Sequence, residues 1–175
     1  MENARGGIAG QTGHTLAVGL SEQLFPKVTG SVYLGFQELR FSRTGLDREQ
    51  STDPFYSIDL TWTPRDKTAV SLSGSSNFQS TASGQANDRR DLRLNVSERL
   101  SEKSSLSGGI GYSRNNYKGI QDRKDDALDY NVGYAYQVYA GTSLNLQFNY
   151  EDRSSVSDVF AYTRFLASFG ATTIW

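Results

Sequence analysis

The chain has 175 residues, a formal net charge of −1 and a pI near 5.8, so bulk charge gives no reason to expect a nucleic-acid partner. It holds no cysteine, which excludes disulfides and thiolate chemistry. Hydrophobic residues make up only 37 % and mean hydropathy is −0.54, yet aromatics reach 12 %, against the habit of disordered chains.

Residues 1–13 carry no basic run followed by an apolar stretch, so they are not a signal peptide. They read as a loop or a short extra strand ahead of strands over 14–175. No run of 18 apolar residues occurs, so no transmembrane helix is expected.

From residue 14 a two-residue period dominates. Leu16, Val18 and Leu20 share one face of a first segment, opposite Thr15, Ala17 and Gly19. Val28, Val32, Leu34 and Phe36 follow, then the stretch FYSIDLTWT (55–63), with Tyr56, Ile58, Leu60 and Trp62 on one side. Val70 and Leu72 continue the pattern, as do Leu92, Leu94 and Val96, then Leu106, Ile110 and Tyr112. Leu128 to Val138, Leu144 to Tyr150 and Phe165 to Trp175 complete about nine strands. Helical periodicity is weak everywhere.

The connections alternate in length. Short turns fall at 24–27, 64–67, 100–103 and 139–142; longer polar segments cover 42–53, 79–90, 115–126 and 151–158. Short turns at one end and long charged loops at the other are the habit of outer-membrane barrels. The apolar face is thin and interrupted by Gly30, Gly74, Ser76 and Gly108. A packed sandwich core would suffer cavities there, whereas lipid fills such gaps. Aromatics at the ends of the apolar bands (Phe36, Tyr56, Trp62, Phe148 and Tyr150) suit membrane interfaces. The fold expected is all-β, an antiparallel up-and-down transmembrane barrel of about eight to ten strands in this chain. The competing reading is a soluble secreted β-protein.

The stretches LTWTPRDKTAVSLSGSSNFQST, LNVSERLSEKSSLSGGIGYSRNNY and VGYAYQVYAGTSLNLQFNYEDRSS share one plan. Each has an apolar strand, a short turn with a basic residue, and an alternating strand. In this the chain resembles the β-barrel porins associated with exopolysaccharide export, over about residues 14–175. The resemblance implies a bacterial outer-membrane barrel serving polysaccharide passage, and it brings no catalytic residues. The ending FGATTIW, with Phe169 and Trp175, resembles the C-terminal strand of outer-membrane proteins and implies recognition by the barrel-assembly machinery.

Nine strands raise a parity problem, because bacterial single-chain barrels have an even strand number. Residues 1–13 could supply a tenth strand, one strand could be misassigned, or a further segment or chain could complete the barrel. The last is preferred here, since lipid tolerates no open sheet edge.

No chemistry of bond-making is visible. His14 is the only histidine and has no cysteine near it, so no metal is expected. Asp122, Asp125 and Asp126 lack the spacing of a calcium loop. Glu151 and Asp152 are adjacent in a strand and face opposite ways. No nucleophile elbow or phosphate-binding glycine loop occurs, so neither enzyme activity nor a cofactor is expected. The polar face instead collects Asp59, Arg89, Asp91, Arg93, Asp129, Glu151, Arg153 and Arg164. These would either plug a small barrel as an ion-pair network or line the channel of a larger one. The corresponding functions are a passive porin-like conduit in the outer membrane, or a non-conducting structural or adhesion barrel whose loops bind a partner.

Overall fold

A computed structural model describes the backbone of residues 8–43, 46–80, 86–118 and 123–173. It contains one sheet of nine antiparallel strands in sequence order. The strands are β1 (Ile8–Phe25), β2 (Val28–Arg43), β3 (Leu46–Arg65), β4 (Thr68–Ser80), β5 (Ala86–Arg99), β6 (Ser104–Lys118), β7 (Arg123–Tyr139), β8 (Thr142–Ser155) and β9 (Tyr162–Thr173). A single 3₁₀ turn, Asp158–Phe160, interrupts the β8–β9 connection. β1 and β9 are the two edges of the sheet and are not paired with each other.

The strands run further than sequence alternation indicates. Residues 8–13, expected as a loop or extra strand, belong to β1, and Gln11 to Gly13 pair with Leu39 to Phe41 of β2. Most of 42–53, expected as a loop, belongs to the β2–β3 hairpin, with Thr52 opposite Glu38. Segments 79–90 and 115–126 likewise give up much of their length to strands, with β4 running to Ser80, β5 starting at Ala86, β6 running to Lys118 and β7 starting at Arg123. Above a membrane both faces of a strand meet water, so the two-residue period vanishes while the backbone ladder continues. Pro54 marks one boundary. It pairs with Phe36 on the β2 side, whereas pairing with β4 starts only at Ser57. A proline is tolerated where one side of the strand has no ladder to join. There the Ser76 hydroxyl donates to the Pro54 carbonyl at 3.2 Å and accepts from the Tyr56 amide at 2.9 Å.

At the opposite end the turns are tight and braced on one another. Lys27 adopts a left-handed φ of 67°, and Gly141 one of 81°. The Lys27 carbonyl accepts from the Thr63 amide (2.9 Å), while its ammonium donates to the Pro64 carbonyl (2.7 Å). Arg99 joins the next turn through its amide to Lys67 (2.8 Å) and its guanidinium to Asp66 (3.0 Å).

The two faces reverse the order of a soluble protein. Leu16 is 81 % exposed, and Leu20, Leu34, Val132 and Phe169 also lie open. Ala127 is the only buried hydrophobic residue among those described, while Ser76, Asn87, Asp88, Asn115 and Asp125 are buried. A sheet whose large apolar side chains lie open on one face, with no side-chain core to cover them, is made for hydrocarbon.

Register also sets the tilt. The loop-side limit of the apolar band passes through Leu16 and Phe36 on β1–β2, Leu34 and Tyr56 on β2–β3, Leu92, Tyr112 and Leu128 on β5–β7, and Tyr150 and Phe165 on β8–β9. Each move to the next of these rungs is two residues along the strand. Three such moves are about 20 Å, accumulated over about 38 Å of strand spacing, so the strands lean roughly 30° from the band normal. Membrane barrels need a lean of this order.

Membrane burial predicts different fates for neighbours on one strand. Leu146→Arg should lower the unfolding free energy in phospholipid bilayers by about 2–4 kcal/mol, the cost of a cation on the lipid face. Gln147→Arg, on the opposite face, should stay within about 0.5 kcal/mol of the unmodified chain. Denaturant unfolding of both variants in vesicles checks the contrast.

Candidate functional site

Strand pairing assembles the polar face rung by rung. On one rung Arg93 of β5 lies opposite Gly111 of β6, Gly111 opposite Asp129 of β7, Asp129 opposite Glu151 of β8, and Glu151 opposite Arg164 of β9. Arg93 and Asp129 form an ion pair across the intervening strand. Glu151 accepts from Arg164 at 2.6 Å and from the Tyr162 hydroxyl at 2.7 Å. The next rung toward the loops holds Asp91, which accepts from the Ser75 hydroxyl at 3.1 Å and pairs with Arg89 at 3.8 Å. Arg153 lies with its guanidinium 5.4 Å from the centre of the Tyr162 ring. Its Nε has no hydrogen-bond partner among the described residues.

Seven of the eight charged residues expected on this face therefore border one groove of about 630 Å³. Asp59 is the exception. It occupies the same rung, reached through Ser73, but lies exposed beyond the groove.

One rung nearer the turns the chemistry changes. Asn95, Gly109, Asn131 and Asn149 align there, and Gln147, Gly133, Ser107 and Ser97 align on the rung after that. On β5–β8 charge thus ends at the loop-side limit of the apolar band. Over the next two rungs the wall is amide, hydroxyl and bare backbone, and charge returns only beside the turns, at Arg99.

A second cluster, absent from the sequence expectations, stands at the loop end. Arg123 lies between two rings, with its guanidinium 4.1 Å from the centre of Tyr117 and 3.9 Å from that of Phe160. It also pairs at 3.2 Å with Asp125, which is 1 % exposed and accepts from the Ser155 hydroxyl at 2.6 Å. Asn87 donates to Asn115 at 3.3 Å beside it. Through Phe160 the cluster holds the β8–β9 connection against the polar face. The sequence carried no periodic signal for it, since Arg123, Lys124, Asp125 and Asp126 are charged at every position.

Asp125 and Asp126 point to opposite faces, so they do not converge on a cation, and Asp122 lies outside the described residues. No cluster of metal-ligating side chains occurs among the described residues. Asp126 instead accepts from the Tyr112 hydroxyl and from Arg114 Nε, each at 2.6 Å. A ring in the apolar band with its hydroxyl on a charged group above it is the arrangement of a membrane interface.

The aromatic positions divide. Phe36, Tyr56 and Tyr150 stand at the loop-side limit of the apolar band and Trp62 at the turn side. Phe148 corrects the expectation of a band-end residue. It sits one rung inside, between Val132 and Ala167, and stacks on Phe165 with ring centres 6.3 Å apart. Tyr112 and Tyr130, not singled out from sequence, extend the loop-side row. Phe169 lies on the apolar face opposite Leu146, whereas Trp175 lies outside the described residues.

An antiparallel meander with an apolar outer band, a polar inner face and short turns at one end defines the outer-membrane β-barrel class. The sequence matches the family described as "Putative beta-barrel porin 2" over residues 8–173, and the chain belongs to that family. No curated protein matches it by sequence. Among solved structures it is similar to OmpT, an outer membrane protein of Vibrio cholerae, in two forms. The loop L8 deletion mutant gives a TM-score of 0.59 at 14 % identity, covering 95 % of this chain and 55 % of the other. Outer-membrane expressed OmpT gives 0.56 at 14 % identity, covering 95 % and 57 %. The chain thus spans a little over half the length of these neighbours.

The two charge clusters should respond differently to loss of a cation. Arg123→Gln leaves the Asp125 carboxylate buried and uncompensated, and should cost about 3 kcal/mol of stability, most of it recovered by adding Asp125→Asn. Arg164→Gln removes a cation whose side chain is 66 % exposed, and should cost less than about 1 kcal/mol. Unfolding in lipid or detergent reads both.

Proposed function

We propose that the chain forms part of the wall of a passive outer-membrane pore, its polar face lining a water-filled lumen. The observation that carries this is the abrupt change along the wall of β5–β8, from charged rungs at the loop end to neutral amide and hydroxyl rungs in the membrane. Solutes would be screened by charge at the mouth and then pass a wall that offers hydrogen bonds without fixed charge. Such a wall suits polyhydroxylated solutes, with secreted polysaccharide as the class implied by the sequence resemblance. No bond is made or broken in this mechanism.

The unpaired edges of β1 and β9 support the further proposal that another segment or chain completes the barrel. Each unpaired backbone group in hydrocarbon costs several kcal/mol, so the edges must be covered there. The longer chains of the OmpT neighbours agree with a larger barrel. We also propose that β9, with Phe169 on its apolar face, is a strand that the barrel-assembly machinery reads.

The test is planar-bilayer recording of the assembled barrel in the bacterial outer-membrane lipid it is proposed to occupy. A steady single-channel current is expected. Replacing Arg93, Arg153 and Arg164 together by Gln should move the reversal potential in a salt gradient toward cation preference. Asn149→Gln, on the neutral rung, should leave it in place. Inserted protein without steady current would favour instead the ion-paired plug and the adhesion role.

A further inference from the structure

Gly111 has no conformational reason to be glycine. It is not among the residues with positive φ, and its place in the middle of β6 is one where a side chain would add to strand stability. What excludes a side chain there is the pair that crosses above it. β5 and β7 are two strand spacings apart, about 10 Å, too far for most side chains to meet across an occupied strand. Arg93 reaches over β6 and meets Asp129 directly. A Cβ on Gly111 would collide with the Asp129 carboxylate and lie 2.8 Å from Arg93 Nη2.

One rung toward the turns the arrangement repeats with neutral groups. A Cβ on Gly109 would collide with the Asn95 side-chain oxygen and lie 2.8 Å from Asn131 Nδ2. Gly108, on the apolar face of the same strand, differs. A Cβ there would meet only the Asn131 carbonyl at 3.6 Å, an ordinary contact.

We infer that Gly111 is a positioning residue for solute selection: its bare backbone lets the Arg93 side chain lie along the wall to Asp129 instead of standing into the lumen. It thereby sets the width and the charge offered at the mouth. The colliding atoms are the far ends of side chains, not backbone. A methyl group at Gly111 would therefore displace the pair and leave the strand in place. The Arg93 guanidinium would then swing into the open groove, where its volume and unpaired charge obstruct passage. Glu151 would not change, since Arg164 and Tyr162 hold it independently.

This inference rests on the lumen reading above, and the experiment separates the two. Gly111→Ala, Gly108→Ala, Arg93→Gln and the double variant Gly111→Ala/Arg93→Gln are compared in planar bilayers. Gly111→Ala should lower single-channel conductance while Gly108→Ala matches the unmodified protein. Adding Arg93→Gln to Gly111→Ala should restore conductance, because the displaced arginine is the obstruction. A Gly111→Ala channel of unchanged conductance, or one that Arg93→Gln does not rescue, overturns the proposal. If the unmodified protein carries no current, the pore reading fails, and Gly111 is then tested by NMR in detergent micelles. The Arg93 Nε–H signal, assigned by its loss in Arg93→Gln, should exchange with water slowly in the unmodified protein and faster in Gly111→Ala. Equal exchange rates in the two overturn the positioning role whatever the protein conducts.

Discussion

The structure depends on where the backbone hydrogen bonds go. Water is absent from a bilayer core, so every amide and carbonyl of a spanning segment must be satisfied by the protein. A meander of neighbouring antiparallel strands does this with the shortest connections available, and β2 to β8 are each paired on both sides. Side chains are then left free to alternate, one set against acyl chains and the other against water. The thinness of the apolar face follows directly. Gly30, Gly74 and Gly108 leave gaps that lipid fills at little cost, whereas a side-chain core would leave them as cavities.

The same ladder organises the charges. Fixed charges within a barrel remain tolerable where water or an opposite charge accompanies them. The polar face uses both means. Asp129 and Glu151 each hold a cation from another strand, and the charged rungs are crowded toward the mouth. Asp125 is the deepest carboxylate among the described residues; Arg123 is paired with it, the Ser155 hydroxyl donates to it, and two rings cover the arginine. Stacking a guanidinium between rings while pairing it with a buried carboxylate gives a rigid contact at the end of the sheet, where strands otherwise fray.

Legibility in the sequence followed solvent contrast. Where a strand faces hydrocarbon on one side and water on the other, as in 55–63 or 128–138, the period is plain and the strand was readable. In 42–53, 79–90 and 115–126 both faces carry polar residues, and among the described residues the ladder continues where the period has already stopped. Phe148 was misplaced for a related reason. A lone strand shows where its apolar run ends, but the band limit is a property of the sheet, and the lean of the strands moves it by a rung or more between β1 and β9. The Arg123–Phe160 contact left almost no trace, since it joins residues separated by a connection of no regular pattern.

Composition and alternation alone determined the fold class and the side of each strand that meets lipid, and bounded the strand number at about eight to ten, because a two-residue period needs nothing beyond the strand itself. Which residues share a rung was decided by the tertiary structure. Partners in a hairpin are set by its turn, and an error of one residue there transfers every side chain to the other face. That Arg93, Gly111 and Asp129 stand in line depends on two successive registers, and each is fixed by pairing between strands and not by any residue within one.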